Sequence, residues 1–245
     1  MSYLETLKDK TPRLVKDMLR PVQSLFINKY YAELSYWKRV HKKEGGRFLN
    51  SHYQRTFLAM ANESSPEFLR NKVVADFGCG PRGSLAWAIA AKIRIGIDVL
   101  ADQYAELFTH DVLCHNMIYV KSTETVIPIP SDFVDILFTM NAIDHVDDFS
   151  MACSELVRIL KPDGVLIASF NLEEPATVYE PQQLTESMIE KHLLRKMTIL
   201  SYRTGKKGPG SSRYGSIISG EATEYVPGEE GILWVIARKN PNDVS

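Results

Sequence analysis

Two carboxylates and three glycines, set at the ends of two apolar runs, are the most chemically informative residues in this 245-residue chain. Val73-Val74-Ala75-Asp76-Phe77-Gly78-Cys79-Gly80-Pro81-Arg82-Gly83 passes from an apolar run through an acid into a glycine-rich turn, and Ile95-Gly96-Ile97-Asp98-Val99 carries a second run to a second acid. Gly78, Gly80 and Gly83 let the backbone turn tightly, approach a ligand without Cβ interference and pack the next segment against a sheet. Asp98, at the tip of the second run, stands where a carboxylate accepts hydrogen bonds from a ribose diol. Cys79 and Val99, inside the same two turns, share that surface. The combination predicts a nucleoside-cofactor site.

Gly78-x-Gly80-x-x-Gly83 is also the dinucleotide pattern, so spacing alone admits NAD. Asp76 separates the two readings. A carboxylate beside the turn repels a pyrophosphate, whereas S-adenosyl-L-methionine carries no phosphate and offers an ammonium and a sulfonium. With that acid in place the segment resembles the class I S-adenosylmethionine-dependent methyltransferases, type 11-like, whose first motif reads acid-x-Gly-x-Gly-x-x-Gly. The resemblance runs over about residues 70 to 172. Ser122-Thr123-Glu124, then Ile127-Pro128-Ile129-Pro130 and Asp132 to Phe138, resemble that family's adenine loop, acidic turn and fourth strand. Leu156-Val157-Arg158-Ile159-Leu160-Lys161-Pro162-Asp163-Gly164-Val165-Leu166 resembles its closing helix, turn and fifth strand. Asp163 departs from the family's usual glycine, in a turn that aspartate tolerates.

The resemblance implies that Thr123 and Glu124 hold the adenine edge, that Asn141 also meets the cofactor, and that the run Asn141-Ala142-Ile143-Asp144-His145-Val146, after the fourth strand, borders the acceptor, with Asp144 a candidate catalytic residue beside His145 and Glu180. His145 is the first candidate general base, since ligands of doubly wound folds gather at the carboxyl edge of the sheet; the competing reading is a helix cap. Asp144, Asp147 and Asp148 raise the idea of an oxygen-ligand metal site, but acids opening a helix serve more often as N-caps, and no metal is assigned. Arg55, with Tyr53 and Gln54, is a candidate to close over the methionine carboxylate. Tyr30, Tyr31 and Trp37 either line an acceptor pocket or belong to ordinary core.

The segments Glu33 to Trp37, Asn141 to His145 and Glu180 to Thr185 resemble a bacterial subgroup that methylates surface polysaccharides and sugars, which implies a hydroxyl acceptor with Glu180 or His145 as base. A small-molecule methyltransferase of natural-product or quinone type, and a catalytically silent cofactor-binding module, remain alternatives. The glycine-rich stretch Lys206 to Arg213 either engages a phosphate or is a solvated loop.

The elements that must position these residues can be placed from the apolar pattern. Residues 1–70 read as a helical cap or lid, divided near Pro21 and Gly45-Gly46. Residues 71–245 read as the methyltransferase domain, with strands near 73–77, 93–97, 116–120, 134–139, 164–170, 196–204 and 231–238. Helices are expected near 83–91, 101–108, 150–160 and 184–194. The expected fold is α/β: a Rossmann-like, doubly wound, seven-stranded sheet, mostly parallel with an antiparallel last strand. A hydrophobic content of 44% supports one sizeable core, and a net charge of −1 gives no global pull toward nucleic acid. Lys8, Lys10, Arg13, Lys16 and Arg20 could meet a membrane or a second subunit, as in a homodimer, though Glu5, Asp9 and Asp17 dilute that face. Cys79, Cys114 and Cys153 show no disulfide or zinc spacing, which points to a reducing cytoplasm. Expected partners are therefore a small-molecule or glycan acceptor, with no nucleic acid and no stable membrane insertion.

Overall fold

The structure, a computed structural model, describes residues 29–123, 125–207, 218 and 224–241. The expected helix around Leu14 to Phe26, the cations Lys8 to Arg20, Glu124 and the loop 208–213 lie outside the described residues.

Seven strands form one sheet in the order β3-β2-β1-β4-β5-β7-β6. They are β1 Val73–Phe77, β2 Ile93–Asp98, β3 Ile118–Lys121, β4 Val134–Met140, β5 Leu160–Leu172, β6 Met197–Lys206 and β7 Gly231–Lys239. The pairs among β1 to β5 are parallel, and β7 runs antiparallel to both of its neighbours, β5 and β6. Every residue of β1 is buried, as a central strand covered on both faces requires. Its alternation sorts the layers. Val73, Ala75 and Phe77 join the core under helix α5 (Phe149–Ile159), while Val74 joins a core formed with helix α2 (His52–Ala61), where Phe57 stacks on Phe138 at 4.7 Å. Asp76, next in phase with Val74, faces the α2 side. Among the described residues, no helix is long and apolar enough to cross a membrane.

The other helices are α1 Lys29–Lys43, α3 Ala101–Leu107, α4 Thr109–Cys114 and α6 Glu186–His192. Two elements differ from expectation. The alanine-rich stretch 83–91 is a series of turns rather than a helix. Gly83 enters it at φ +74°, and the subsequent bonds reach back three residues: Ala86 N to Gly83 O, Ala88 N to Leu85 O and Ala91 N to Ala88 O. The crossover to β2 is short, and Leu85 and Ala88 still fill the α2-side core that a helix would have filled. Helix α4 is an addition to the expected set; its polar opening, Thr109-His110-Asp111, hides the apolar period.

A buried lysine pins the far edge of the sheet. Lys239, 1% exposed, donates to Asp132 Oδ1 and to the Leu160 carbonyl, each at 2.8 Å.

Strand order reverses between β1 and β4, which opens a crevice at their carboxyl ends. The glycine elbow lines one side of it and residues 141–146 the other. The loops touch, since a Cβ on Gly78 (φ +73°) would overlap the Ala142 methyl.

Candidate functional site

At the elbow, the Gly78 and Cys79 amides donate to the Ile97 carbonyl at 2.8 and 3.3 Å, folding the turn back toward the tip of β2. Asp98 completes the tie: Oδ2 accepts from Gly80 N at 3.0 Å and Oδ1 from Leu100 N at 2.9 Å. Each oxygen keeps a second lone pair for a ribose hydroxyl. Burial raises the Asp98 carboxyl to about 6 against the pull of those two amides. The Cys79 side chain turns toward the sheet, where a Cβ on Gly96 would lie 2.7 Å from its sulfur. Cys79 therefore shapes the elbow from within, and burial pushes its thiol up. Val99 is half-buried and packs against the cluster of Leu100 and Tyr104.

Asp76 is 3% exposed. Ser84 Oγ donates to its Oδ2, while Oδ1 has no hydrogen-bond partner among the described residues. Burial pushes this carboxyl up to about 7, with the Ser84 bond opposing and the Asp98 charge adding. Arg82 lies at the same elbow. It pairs with Glu44 and sits 5.8 Å from the Trp37 ring, while its buried Nε lacks an acceptor among the described residues. Both charges act on the buried Tyr53: burial raises its hydroxyl most, Arg82 opposes that shift and Asp76 adds to it. One elbow thus holds an acceptor without a donor and a donor without an acceptor. That pair complements the ammonium and carboxylate of an amino-acid zwitterion, so the residues fit the methionine end of S-adenosylmethionine.

Arg55 does not reach this elbow. In α2 the buried positions are Tyr53, Thr56, Phe57, Met60 and Ala61, which turns Arg55 to the exposed face, where it lines a separate cleft with Ser51 and Glu63. Arg82, inside the glycine motif itself, is the arginine that lies at the elbow, against Trp37 and Glu44. The helical phase of the apolar residues carried that signal.

Helix α1 lies over the crevice. Trp37 packs on Gly80 so closely that a Cβ there would be 2.9 Å from its ring, and its Nε1 donates to Glu33 at 2.6 Å. At its start, Lys29 donates to Asp147 Oδ1 at 2.8 Å and to the His145 carbonyl at 3.3 Å; near its end, His41 lies 3.0 Å from Asp111. Trp37 thus walls the elbow, while Tyr31 is exposed.

On the adenine side, the Thr123 hydroxyl is engaged in its own turn, accepting from Val126 N at 2.9 Å and Thr125 N at 3.3 Å. Across the crevice, Asn141 takes a left-handed conformation (φ +48°), and its Oδ1 accepts from Ser169 Oγ at 2.9 Å. Asp144 and His145 come next, in a single 3-10 turn. His145 Nε2 lies 3.9 Å from Asp144 Oδ1 and 3.7 Å from Glu180 Oε1. Glu180 arrives from the loop after β5, which Gln182 fastens by donating to the Val146 and Asp147 carbonyls, both at 3.0 Å. The three candidates His145, Asp144 and Glu180 are therefore gathered in space. Asp148 caps α5 by accepting from Met151 N at 2.9 Å, and neither it nor Asp147 joins the group.

Residues 75–168 match the methyltransferase domain family. The chain is similar to a malonyl-[acyl-carrier protein] O-methyltransferase of Enterobacter lignolyticus, 33% identical over 38% of this chain and 36% of that protein. It is likewise similar to the ubiquinone/menaquinone biosynthesis C-methyltransferase UbiE of Vibrio vulnificus, 32% identical over 34% of this chain and 30% of that one. The match thus spans about a third of these relatives' own length. Among solved structures, a protein of Galdieria sulphuraria described as a candidate sarcosine dimethylglycine methyltransferase has TM-score 0.62 at 13% identity, over 86% of this chain and 99% of that one. An S-adenosylmethionine-dependent methyltransferase of Mesorhizobium loti has TM-score 0.52 at 16% identity, over 75% and 96%. The fold is that of the class I methyltransferases. The matched segment is similar to a methyltransferase domain, and the likeness to the solved structures is one of fold.

Proposed function

We propose that this chain transfers a methyl group to a hydroxyl oxygen of a sugar or glycan precursor. The observation that carries the cofactor half is that Asp76 Oδ1 and Arg82 Nε, both at the glycine elbow, have no hydrogen-bond partner among the described residues. S-adenosylmethionine supplies there an electrophilic methyl on a positively charged sulfur. Asp98 orients the ribose, Asp76 takes the ammonium and Arg82 the carboxylate, and positioning of this kind contributes effective molarities on the order of 10⁵–10⁸ M.

The acceptor half rests on its polar character. Asp144, His145 and Glu180 gather across the crevice, with the buried Asn171 on β5 nearby. A hydroxylated acceptor suits such a lining better than a flat apolar ring does. His145 receives the hydroxyl proton, with the two carboxylates beside it to balance the charge it gains; general-base help of this sort is worth about 10²–10⁴-fold. The likeness to UbiE favours a second reading, a quinone-type small-molecule acceptor. A silent cofactor-binding module is the reading outside catalysis. Three free cysteines, two of them buried, support a reducing compartment such as the cytoplasm.

Calorimetry against S-adenosylmethionine and NAD tests the cofactor half, and preference for NAD ends the proposal. Transfer from labelled cofactor to a panel of sugars, phenols and quinones tests the acceptor; turnover on phenols or quinones alone refutes the sugar reading, and no transfer at all favours the silent module. His145→Ala is expected to lower turnover by about 10²-fold or more with cofactor affinity unchanged. Equal activity returns His145 to a structural role.

A further inference from the structure

We infer that Asp144, His145 and Glu180 form a binding site for a divalent first-row transition-metal ion at the acceptor side of the crevice. One ligand atom from each, two carboxylate oxygens and an imidazole nitrogen, lies within 4.8 Å of the others. None of these atoms bonds another: the separations from His145 Nε2 are 3.9 and 3.7 Å, too long for hydrogen bonds. Around an ion with bonds of about 2.1 Å, ligand atoms stand about 3 to 4 Å apart. The three atoms reach that spacing with small side-chain adjustments.

The second observation concerns unmet acceptors. Asp144 is 5% exposed, and its Oδ1, the atom facing His145, makes no hydrogen bond among the described residues. Asn171 Oδ1, also buried, lacks a donor too. Buried oxygens in this state call for a donor or a cation. Two carboxylates with a neutral imidazole carry a charge of −2, which a divalent ion balances. The mixed oxygen and nitrogen set suits Mn²⁺ or Zn²⁺ better than Mg²⁺ or Ca²⁺. Lys207, paired with Glu174, also acts on the Asp144 carboxyl, though less than burial and His145 do, and Lys29 pairs with Asp147.

Three protein ligands leave coordination positions for acceptor oxygens. This role rests on the proposed methyl transfer, although ion binding does not. The ion and a proton compete for the same Nε2 lone pair, so His145 is the base in the ion-free chain and a ligand once the ion is bound. The acceptor hydroxyl on the ion then gives its proton to water; its oxygen forms the new bond to the methyl carbon as the carbon–sulfur bond breaks, leaving the neutral thioether.

The test uses the full chain, stripped with EDTA and titrated with MnCl₂ while electron paramagnetic resonance counts free Mn²⁺. One Mn²⁺ per chain is expected, weakened at least about tenfold by Glu180→Gln and by Asp144→Asn, since loss of even an outer-shell partner costs roughly 10–100-fold. Glu180 sits on a partly exposed turn, so its variant keeps the test valid if Asp144→Asn misfolds. No uptake at millimolar Mn²⁺, or uptake undiminished in Glu180→Gln, overturns the site. S-adenosylmethionine calorimetry on the same samples separates the claims: cofactor binding without Mn²⁺ binding removes the ion alone, and Mn²⁺ binding without cofactor binding removes the methyl-transfer reading alone.

Discussion

Acidifying the solution from pH 8 to pH 5 is expected to weaken S-adenosylmethionine binding by about 100-fold, and the cause lies in Asp76. In the free protein its carboxyl titrates at about 7 rather than 3.8, because burial penalises the charge more than the Ser84 bond relieves it. The folded state therefore holds a proton that the unfolded chain releases, and the associated stability is lost as pH rises through about 7. A ligand ammonium reverses the preference, since it favours the ionised carboxylate. Binding below pH 7 must then expel one proton. At pH 5, two units below the titration point, roughly one Asp76 in a hundred is ionised, which corresponds to about 2.7 kcal/mol at 1.36 kcal/mol per unit.

Calorimetry at pH 6 in two buffers of different ionisation enthalpy reads the proton directly: about one should leave per cofactor bound. Asp76→Asn removes the carboxylate and should give weak binding whose remaining pH dependence is the smaller one of Asp98, which titrates at about 6. If wild-type affinity stays level between pH 8 and 5, or the two buffers give equal heats, Asp76 is not the partner of a cation and the electrostatic preference for a positively charged cofactor is refuted.

Three further outcomes test the scaffold around it. Gly80→Ala places a side chain at φ +57° and 2.9 Å from the Trp37 ring, so a loss of about 1–2 kcal/mol is expected in urea unfolding, together with weaker cofactor binding. Asp98→Ala removes the acceptor of the Gly80 and Leu100 amides as well as the ribose partner, and calorimetry should show cofactor affinity down by about 1–3 kcal/mol. Asp132→Asn strands the buried Lys239 ammonium and should cost about 2–4 kcal/mol in thermal or urea unfolding, more than Lys239→Met, which removes the charge instead of orphaning it; the reverse order would refute that account.

What the sequence disclosed was whatever neighbouring residues decide together. The seven strands, their mostly parallel pairing, and Asp76, the glycines and Asp98 are all legible in local pattern: β1 is buried throughout because both faces are covered, and the elbow turns where positive φ is needed. The stretch 83–91 misled because its alanine-rich composition favours a helix, while Gly83 and a short crossover impose three-residue turns. Arg55 misled through proximity. Read by the phase of Tyr53, Phe57 and Met60, it falls on the exposed face of α2, whereas Arg82 is held at the elbow by its place between Gly80 and Gly83.

The acceptor side has a different status, and the reason is contact order. Glu180 reaches His145 only because the loop after β5 returns and Gln182 bonds the carbonyls of Val146 and Asp147, and Trp37 reaches Gly80 only because α1 folds back over the sheet. No local period encodes either approach. A sheet edge that binds one cofactor can therefore keep its elbow while the returning loop and the covering helix change, and with them the group that the methyl meets. Exchanging the 173–185 loop should accordingly alter acceptor choice while the pH-linked binding at Asp76 persists, because the elbow meets the acceptor half through the packing of Gly78 against Ala142, a contact that the exchange leaves in place.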